Sequence, residues 1–374
     1  MVAIPTMPLV NDNLVETMPS TICYACEMNK TAFNPCIGIA GAGAIVTSSH
    51  LPAYTKAGFR IAAIYDRDPS RAREAAAKFA IPSVCDSFED LLAHPAVNIV
   101  DIAVPPDFQP PMARAAMAAG KHLLCQKPLA WTLAEATALV EEAERAGVKL
   151  AVNQQMRWDP MIQATYRLLR EGVLGQVMNV SLDESVLTDW FQWTWIPPAP
   201  QLDLMLHSIH YFDSLRYLFG EPDWVFSVTG KYPEQREVAE TRSITILSYP
   251  GDMLARVNVA HKNWSDDQLC GWRVEGTEGI IRGRFGHLDN YPFGGPDQME
   301  YIRRGETSWT PVEIVGKWFP DAFRGPMGSL IEAIQTGGQA ETNGRDNLKT
   351  LALVHACYQS AEEHRAVTLG LHRA

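Results

Sequence analysis

From Pro35 onward, short apolar runs alternate with longer stretches in which apolar residues recur every three or four positions. PCIGIAGAGAI reads as a buried strand entering a glycine-rich turn, followed by a helix through HLPAYTKAG and the strand FRIAAIYD. The cycle continues with the helix DPSRAREAAAKFA, a short strand near SVC, the helix FEDLLAH and the strand NIVDIAV. After these come the helix QPPMARAAMAAG, the strand KHLLCQ, the helix TLAEATALVEEAERAG and the strand VKLAVNQQ. Buried strands alternating with amphipathic helices predict a parallel sheet covered on both faces, an α/β domain over residues 34–156. Beyond it the pattern changes to one helix, MIQATYRLLREGVLG, and then strands of period two: QVMNVSLDE, WVFSVTGKY, TRSITILSY, MLARVNVAHK and GWRVEGTEGIIRGRF. That alternation predicts an α+β domain over residues 157–374 with a large, mainly antiparallel open sheet, helices on one face, and closing C-terminal helices. A Pro/Gly/aromatic stretch from about 286 to 325 reads as loop. Residues 1–33 are weakly patterned and read as an N-terminal extension, an arm packed on the domain or on a neighbouring subunit.

Composition narrows the choices. The chain has 374 residues, 47% hydrophobic and 20% charged, and its 26 Gly and 25 Pro follow no short period, which excludes a collagenous or wholly disordered chain. The net charge of −11 and the lack of a basic block argue against nucleic acid as a partner. Seven cysteines, at 23, 26, 36, 85, 125, 270 and 357, form neither a disulfide framework nor a paired zinc motif, and Cys23-Tyr24-Ala25-Cys26 lacks a second pair. The first residues do not resemble an export signal and no run approaches 18 apolar residues, so the expected setting is cytoplasmic, without a membrane anchor.

The first strand–turn–helix carries a nucleotide signal, Gly41-Ala42-Gly43-Ala44-Ile45-Val46. Gly41 permits the tight turn and Gly43 lets a phosphate approach the backbone at a helix N-terminus; Val46 stands where a third small residue is usual. Asp66 ends the second strand at the spacing of a carboxylate that accepts from ribose hydroxyls, which favours NAD over NADP. Arg67 beside it leaves NADP possible, since a guanidinium binds a 2′-phosphate or stacks on adenine. Together these features predict a Rossmann dinucleotide-binding domain.

Further along, AGKHLLCQKPLA, DIAVPPDFQ, REGVLGQV, HSIHYFDSLRYLFG and GRDNLKTLALVHACYQSAEEHRAVTL, taken with IGIAGAGAI and YDRDPSRA, resemble the Gfo/Idh/MocA oxidoreductase family over about residues 35–371. The resemblance implies that Lys127, in Cys125-Gln126-Lys127-Pro128, lies beside the reactive hydroxyl and helps transfer its proton. An ammonium also stabilises negative charge developing on oxygen. Gln126 replaces the usual Glu of this motif. On the helix around Asp203, Leu206, His207, His210 and Asp213, spacings of three, four and seven put much of the set on one face. His210 matches the family's reactive-site His and Asp213 a following Asp, here an orienting or structural carboxylate, but the position four residues before His210 is Leu206, where the family has a carboxylate. Val104 and Pro105 match the loop beneath the nicotinamide, and Gln109 stands where the family often has His. Asp101, before the apolar end of its strand, is read as structural.

Asn153, Gln155 and Arg157 alternate at a strand end and would share one face of the pocket mouth. By resemblance, Arg157 and Trp158 are substrate-facing. In SVLTDWFQWTWIPPAP, Asp189, Trp190, Trp193 and Trp195 would form an aromatic wall and a hydroxyl acceptor against a sugar ring, or an interdomain or subunit contact. His207 is either substrate-binding or a packing residue. The expected activity is nicotinamide-dependent interconversion of a secondary hydroxyl and a ketone on a sugar, sugar derivative or cyclitol, with catalytic Lys127 and His210 and no metal. A small carbohydrate or polyol is the expected partner, and the family resemblance adds a homodimer or homotetramer. Two alternatives stay open: an NAD-retaining lyase or glycosidase that oxidises its sugar transiently, and a non-catalytic cofactor-sensing or partner-binding protein, for which Gln126 and Leu206 give the motive.

Overall fold

A computed structural model describes residues 34–289 and 294–370; the extension with Cys23 and Cys26 lies outside the described residues. The first half builds a six-stranded parallel sheet from β1 (Ile37–Ala40), β2 (Ile61–Tyr65), β3 (Ser83–Val84), β4 (Ile99–Ile102), β5 (His122–Cys125) and β6 (Leu150–Val152). Its order is β3-β2-β1-β4-β5-β6, which places a crevice where the order reverses, between β1 and β4. β1 and β4 are buried along their whole length, so their residues are small or apolar except for Asp101, whose carboxylate is bonded; a side chain on Gly38 would run into Val97 at 2.8 Å. The intervening helices are α1 (Leu51–Ala57), α2 (Pro69–Phe79), α3 (Phe88–Ala93), α4 (Gln109–Ala118) and α5 (Leu133–Arg145). Side-chain caps set the starts of α2, α3 and α5, where Asp68 accepts from Ser70 N–H, Ser87 and Asp90 cap each other reciprocally, and Thr132 accepts from Glu135 N–H, while α1 and α4 begin with proline in their first turn.

The second half builds a nine-stranded sheet from β7 (Val177–Ser185), β8 (Trp224–Gly230), β9 (Arg242–Ser248), β10 (Leu254–Ala260), β11 (Leu269–Gly276), β12 (Gly279–Arg284), β13 (Gln298–Arg303), β14 (Thr310–Pro311) and β15 (Val367–Thr368). Their order is β14-β13-β12-β11-β7-β10-β9-β8-β15, antiparallel throughout except for the parallel pair β7–β10. Val180, Leu182 and Glu184 on β7, Val257 and Val259 on β10, and Cys270, Trp272 and Val274 on β11 point to the buried face. Four helices belong to this half: α6 (Pro160–Arg170), α7 (Ile209–Phe219), α8 (Arg324–Thr336) and α9 (Gly344–Glu363). On the outer face Val228, Ile244, Ile246 and Leu254 are exposed.

Three local expectations are corrected. The stretch read as loop contains β13, which pairs with β12 from Gly279↔Arg303 to Arg284↔Gln298, and the short β14. Residues Gln155–Trp158 are not the end of a strand but a 3₁₀ turn after β6, so Asn153, Gln155 and Arg157 do not share a strand face. The helix expected through Asp203–Asp213 is divided into a π-helical turn, Asp203–His207, and α7, which rotates the first residues relative to the rest. Among the described residues, no helix is long and apolar enough to cross a membrane.

Candidate active site

The glycine turn leaves β1 with Gly41 at φ +112°, where an added Cβ would lie 2.5 Å from the Ala103 carbonyl oxygen. Only glycine fits there. At Gly43 a Cβ would meet nothing within 4 Å, so the backbone is open to an approaching group, with Ala44 exposed and Ile45 half-buried beside it. Val46 is fully buried and begins a π-helical turn, Val46–His50, ahead of α1. Asp66, at the end of β2, accepts from Ala42 N–H at 2.6 Å and Asp68 N–H at 2.8 Å, tying the second strand to the turn. The Arg67 guanidinium lies 5.6 Å from the Phe108 ring centre. Val104 Cγ1 would lie 3.4 Å from a Cβ on Gly41, and Pro105 follows in the same loop. These features fit a dinucleotide: a glycine cradle, an open backbone and an oriented carboxylate at the crevice.

Gln109 does not present its amide to that crevice. It is fully buried, and Nε2 donates to the carbonyl oxygens of Gln126 (2.9 Å) and Pro128 (2.8 Å), so it clamps the segment that carries Lys127. Gln126 Oε1 accepts from Lys127 N–H at 3.0 Å.

Lys127 follows β5 and donates from Nζ to the main-chain oxygen of Leu206. The position that lacks the expected carboxylate therefore still reaches the lysine, through its carbonyl. Desolvation lowers Lys127 to about 8, so neutral amine and ammonium are both populated near neutral pH. His210, in the first turn of α7, is buried against Trp318, with ring centres 5.9 Å apart, and its Nε2 lies 3.5 Å from Gln155 Nε2. Burial first, and the charges of Lys127, His207 and His287 next, hold His210 well below the ordinary imidazole range. It is neutral at neutral pH, and among the described residues its Nδ1 has no hydrogen-bond partner.

Several residues expected at the pocket mouth are engaged elsewhere. Arg157 is a buried ion-pair residue: Nε and Nη2 bond Asp213 at 2.7 and 2.8 Å, Nη2 also donates to Asp346, and Nη1 donates to the Glu341 carbonyl at 3.0 Å. Arg216 joins the group through Asp346 at 3.0 Å and Glu221 at 2.6 Å. Thr350 donates to Asp213 at 2.6 Å. Trp158 covers Gly325, where a Cβ would sit 2.1 Å from the indole. Asn153 belongs to a buried chain in which its Nδ2 meets His50 Nε2 at 3.1 Å, His50 Nδ1 meets Asp101 Oδ2 at 2.7 Å, and Tyr54 donates to the same oxygen at 2.8 Å. Asp189 is exposed and caps a 3₁₀ turn by accepting from Phe191 N–H, so it is not a buried hydroxyl acceptor. Trp193 packs on Trp190, 6.1 Å between ring centres.

His207 stays in the picture and is joined by residues that sequence reasoning missed. Its Nε2 lies 3.5 Å from Glu184 Oε1 and its Nδ1 3.6 Å from Asp203 Oδ1. Its ring meets those of His261 at 4.5 Å and Tyr211 at 5.3 Å. His261 bonds Asp203 at 3.0 Å, and His287 Nε2 lies 3.8 Å from Glu184 Oε1. The His287 ring is 4.8 Å from Trp318, which it shares as a wall with His210. Burial favours protonation of Glu184, yet the imidazoles of His207, His287 and His261 hold it down to about 2. The signal was present in the alternation: Glu184 and His261 occupy inward positions of β7 and of the strand extension after β10, where a solvated charge has no place.

The parallel sheet, its crevice and the second open sheet define a two-domain dinucleotide-dependent oxidoreductase architecture. Residues 36–154 match the oxidoreductase family with an NAD-binding Rossmann fold, and residues 167–369 match that family's C-terminal alpha/beta domain. The chain belongs to the Gfo/Idh/MocA oxidoreductase family. It is 29% identical to a D-apiose dehydrogenase of Paraburkholderia graminis over 83% of this chain and 84% of that one. It is 27% identical to a D-xylose 1-dehydrogenase (NADP(+)) of Haloferax volcanii, covering 89% and 99%. Among solved structures, the aldose-aldose oxidoreductase of Caulobacter crescentus superposes with a TM-score of 0.78 at 26% identity, over 90% of this chain and all of that one (100%).

Proposed function

We propose that this protein interconverts a secondary hydroxyl and a ketone on a sugar, sugar derivative or cyclitol, with NAD favoured over NADP. The observation that carries the reading is the placing of Lys127 just past the end of β5, with its Nζ on the main-chain oxygen of Leu206, four residues before His210 in the first turn of α7; burial also lowers the lysine to about 8. Gly41, Ala42, Gly43, Ala44 and Ile45 would hold the phosphates of a nicotinamide dinucleotide and Val104 and Pro105 would border its nicotinamide, which would supply the hydride acceptor or donor. Asp66 would accept from ribose hydroxyls with the lone pairs its two amide partners leave free, and its charge would disfavour a 2′-phosphate; Arg67 would meet the adenine end. In oxidation, neutral Lys127 takes the hydroxyl proton at Nζ; in reduction its ammonium returns it. Neutral His210 orients the substrate oxygen and Gln155 holds the imidazole. His207 and the aromatic residues Trp190 and Trp318 line the sugar side. Residues 34–156 form the nucleotide-binding part and 157–374 the substrate-binding part.

Three names support this substrate class, since the two dehydrogenases and the aldose-aldose oxidoreductase are named for sugars. The exposed Val228, Ile244, Ile246 and Leu254 support pairing of two copies through the outer sheet face, which light scattering tests directly. The decisive assay incubates the protein with a panel of polyols, free sugars and glycosides and either nicotinamide, reading cofactor absorbance and product mass. A product two hydrogens lighter, with NADH formed, is expected. Lys127→Met should lower turnover by about 10²–10⁴-fold; an unchanged rate on a verified substrate removes Lys127 from the chemistry.

A further inference from the structure

We propose that Gln109 is a positioning residue that keeps Lys127 in register with the nicotinamide, by tying the loop of Val104 and Pro105 to the segment that carries the lysine. The coupling to nicotinamide rests on the oxidoreductase reading; the grip on Lys127 does not. Gln109 opens α4 directly after that loop, and the link between them is short: Phe108 N–H donates to the Pro105 carbonyl at 2.9 Å and Gln109 N–H to the Pro106 carbonyl at 3.3 Å. From there the side chain reaches past the end of β5. Its Nε2 donates to the carbonyl oxygens of Gln126 (2.9 Å) and Pro128 (2.8 Å), the residues on either side of Lys127.

The residue type follows from this geometry. A primary amide carries two N–H donors on one uncharged nitrogen, and both are spent on these two carbonyls. The same acceptors fix which way the amide is turned, since its oxygen cannot face either of them. Lys127 is thereby held on both sides of its main chain, while Gln126 Oε1 takes its N–H at 3.0 Å and the Leu206 carbonyl takes Nζ. Of these three partners, Gln109 is the one that comes from the nicotinamide side. Its own Oε1 is buried and has no hydrogen-bond partner among the described residues. Packing alone would favour an apolar side chain here, because burying an acceptor unpaired is costly. In the proposed oxidation the carbinol carbon loses a hydride to the oxidised nicotinamide and its oxygen loses a proton to neutral Nζ, leaving a ketone, the reduced nicotinamide and an ammonium. Both transfers leave one carbinol, so the two acceptors must keep a fixed separation, and a displacement of about 1 Å costs about 10²-fold in rate.

The test begins on the full chain without nicotinamide or sugar. Competitive acetylation with acetic anhydride, read at Lys127 by mass spectrometry from about pH 6 to 11, follows the acidity of Nζ without turnover. In the wild type the labelling midpoint is expected at about 8; in Gln109→Met, which drops both bonds and lets water reach the amine, it should rise by about one pH unit or more. On a sugar that the wild type turns over, Gln109→Met should lower kcat about 10²-fold, with the KM of sugar and of nicotinamide within about threefold. Gln109→His, which returns one N–H to one carbonyl, should recover part of both losses, and it carries the comparison if circular dichroism shows Gln109→Met unfolded. If Lys127 labels alike in wild type and variant, or kcat per folded molecule stays within about twofold, the proposal fails and Gln109 only packs. A shifted midpoint in a protein that oxidises no sugar of the panel would overturn the oxidoreductase reading, and with it the coupling to nicotinamide, and leave the grip on Lys127 standing.

Discussion

Two groups of buried charges lie in the second half of the chain, and they are built differently. In the first, Arg157 and Arg216 hold Asp213, Asp346 and Glu221 with bonds of 2.6–3.0 Å, and Thr350 fills another lone pair of Asp213. In the second, His207 stands 3.5 Å from Glu184 and 3.6 Å from Asp203, His287 stands 3.8 Å from Glu184, and among the described residues the Nδ1 atoms of His207 and His287 have no hydrogen-bond partner. Both cost desolvation energy, but only the first returns it through saturated, bidentate geometry. A saturated cluster has no valence left for a ligand, which is why Arg157 is a fold residue. The slack cluster retains unfilled directions, and its His287 shares the Trp318 ring with His210.

The sharpest way to break this contrast is Asp213→Ala. Removing the bidentate partner and leaving Arg157 only Asp346 and the Glu341 carbonyl should cost about 3 kcal/mol in denaturant unfolding while leaving turnover per folded molecule within about twofold. Turnover that collapses at unchanged stability would move Arg157 and Asp213 into the active site. The next effect is on pH dependence. Because burial lowers Lys127 to about 8, the oxidation direction, which needs neutral amine, should rise about tenfold per pH unit below that value and level off above it. The reduction direction should fall above the same pH, and neutral His210 should add no limb between pH 6 and 7. A profile flat from pH 6 to 10 would detach the lysine from the proton. Smallest is Glu184→Gln, expected to cost about 1–3 kcal/mol, since both the Tyr211 bond and the attraction of the facing imidazoles weaken when the carboxylate becomes an amide. A loss beyond that of Asp213→Ala would show this cluster to be the more structural of the two.

Much of the first half could be read from the chain because its determinants are local. Gly41, Gly43 and Asp66 sit at fixed offsets on a strand–turn–helix, and each helix of that half follows its own amphipathic period. Lys127 was legible for the same reason, by its place after a buried strand. The second half depends on pairing between distant strands. Glu184, Cys270 and His287 meet only because β11 aligns on β7 in one register and because a turn after β12 returns to the same face. The displacement of Asn153 and Arg157 from the pocket had no local sign: a 3₁₀ turn replaced one more strand residue, and the partners that claimed Arg157 lie 56 and 189 positions away. β13 was hidden by the glycines and prolines just before it.

The first sheet does not end with its own sequence. Val152, on its last strand, donates from N–H to the Thr342 carbonyl at 2.9 Å, and Asn343 then caps α9. Nearly two hundred residues of chain therefore close like a clasp on the rim of the nucleotide half. Cutting the protein after residue 156 would leave that rim bare, a strand edge ready to recruit its own kind. The nucleotide half made alone should precipitate, and a protease that nicks between the halves should leave two fragments that still travel together.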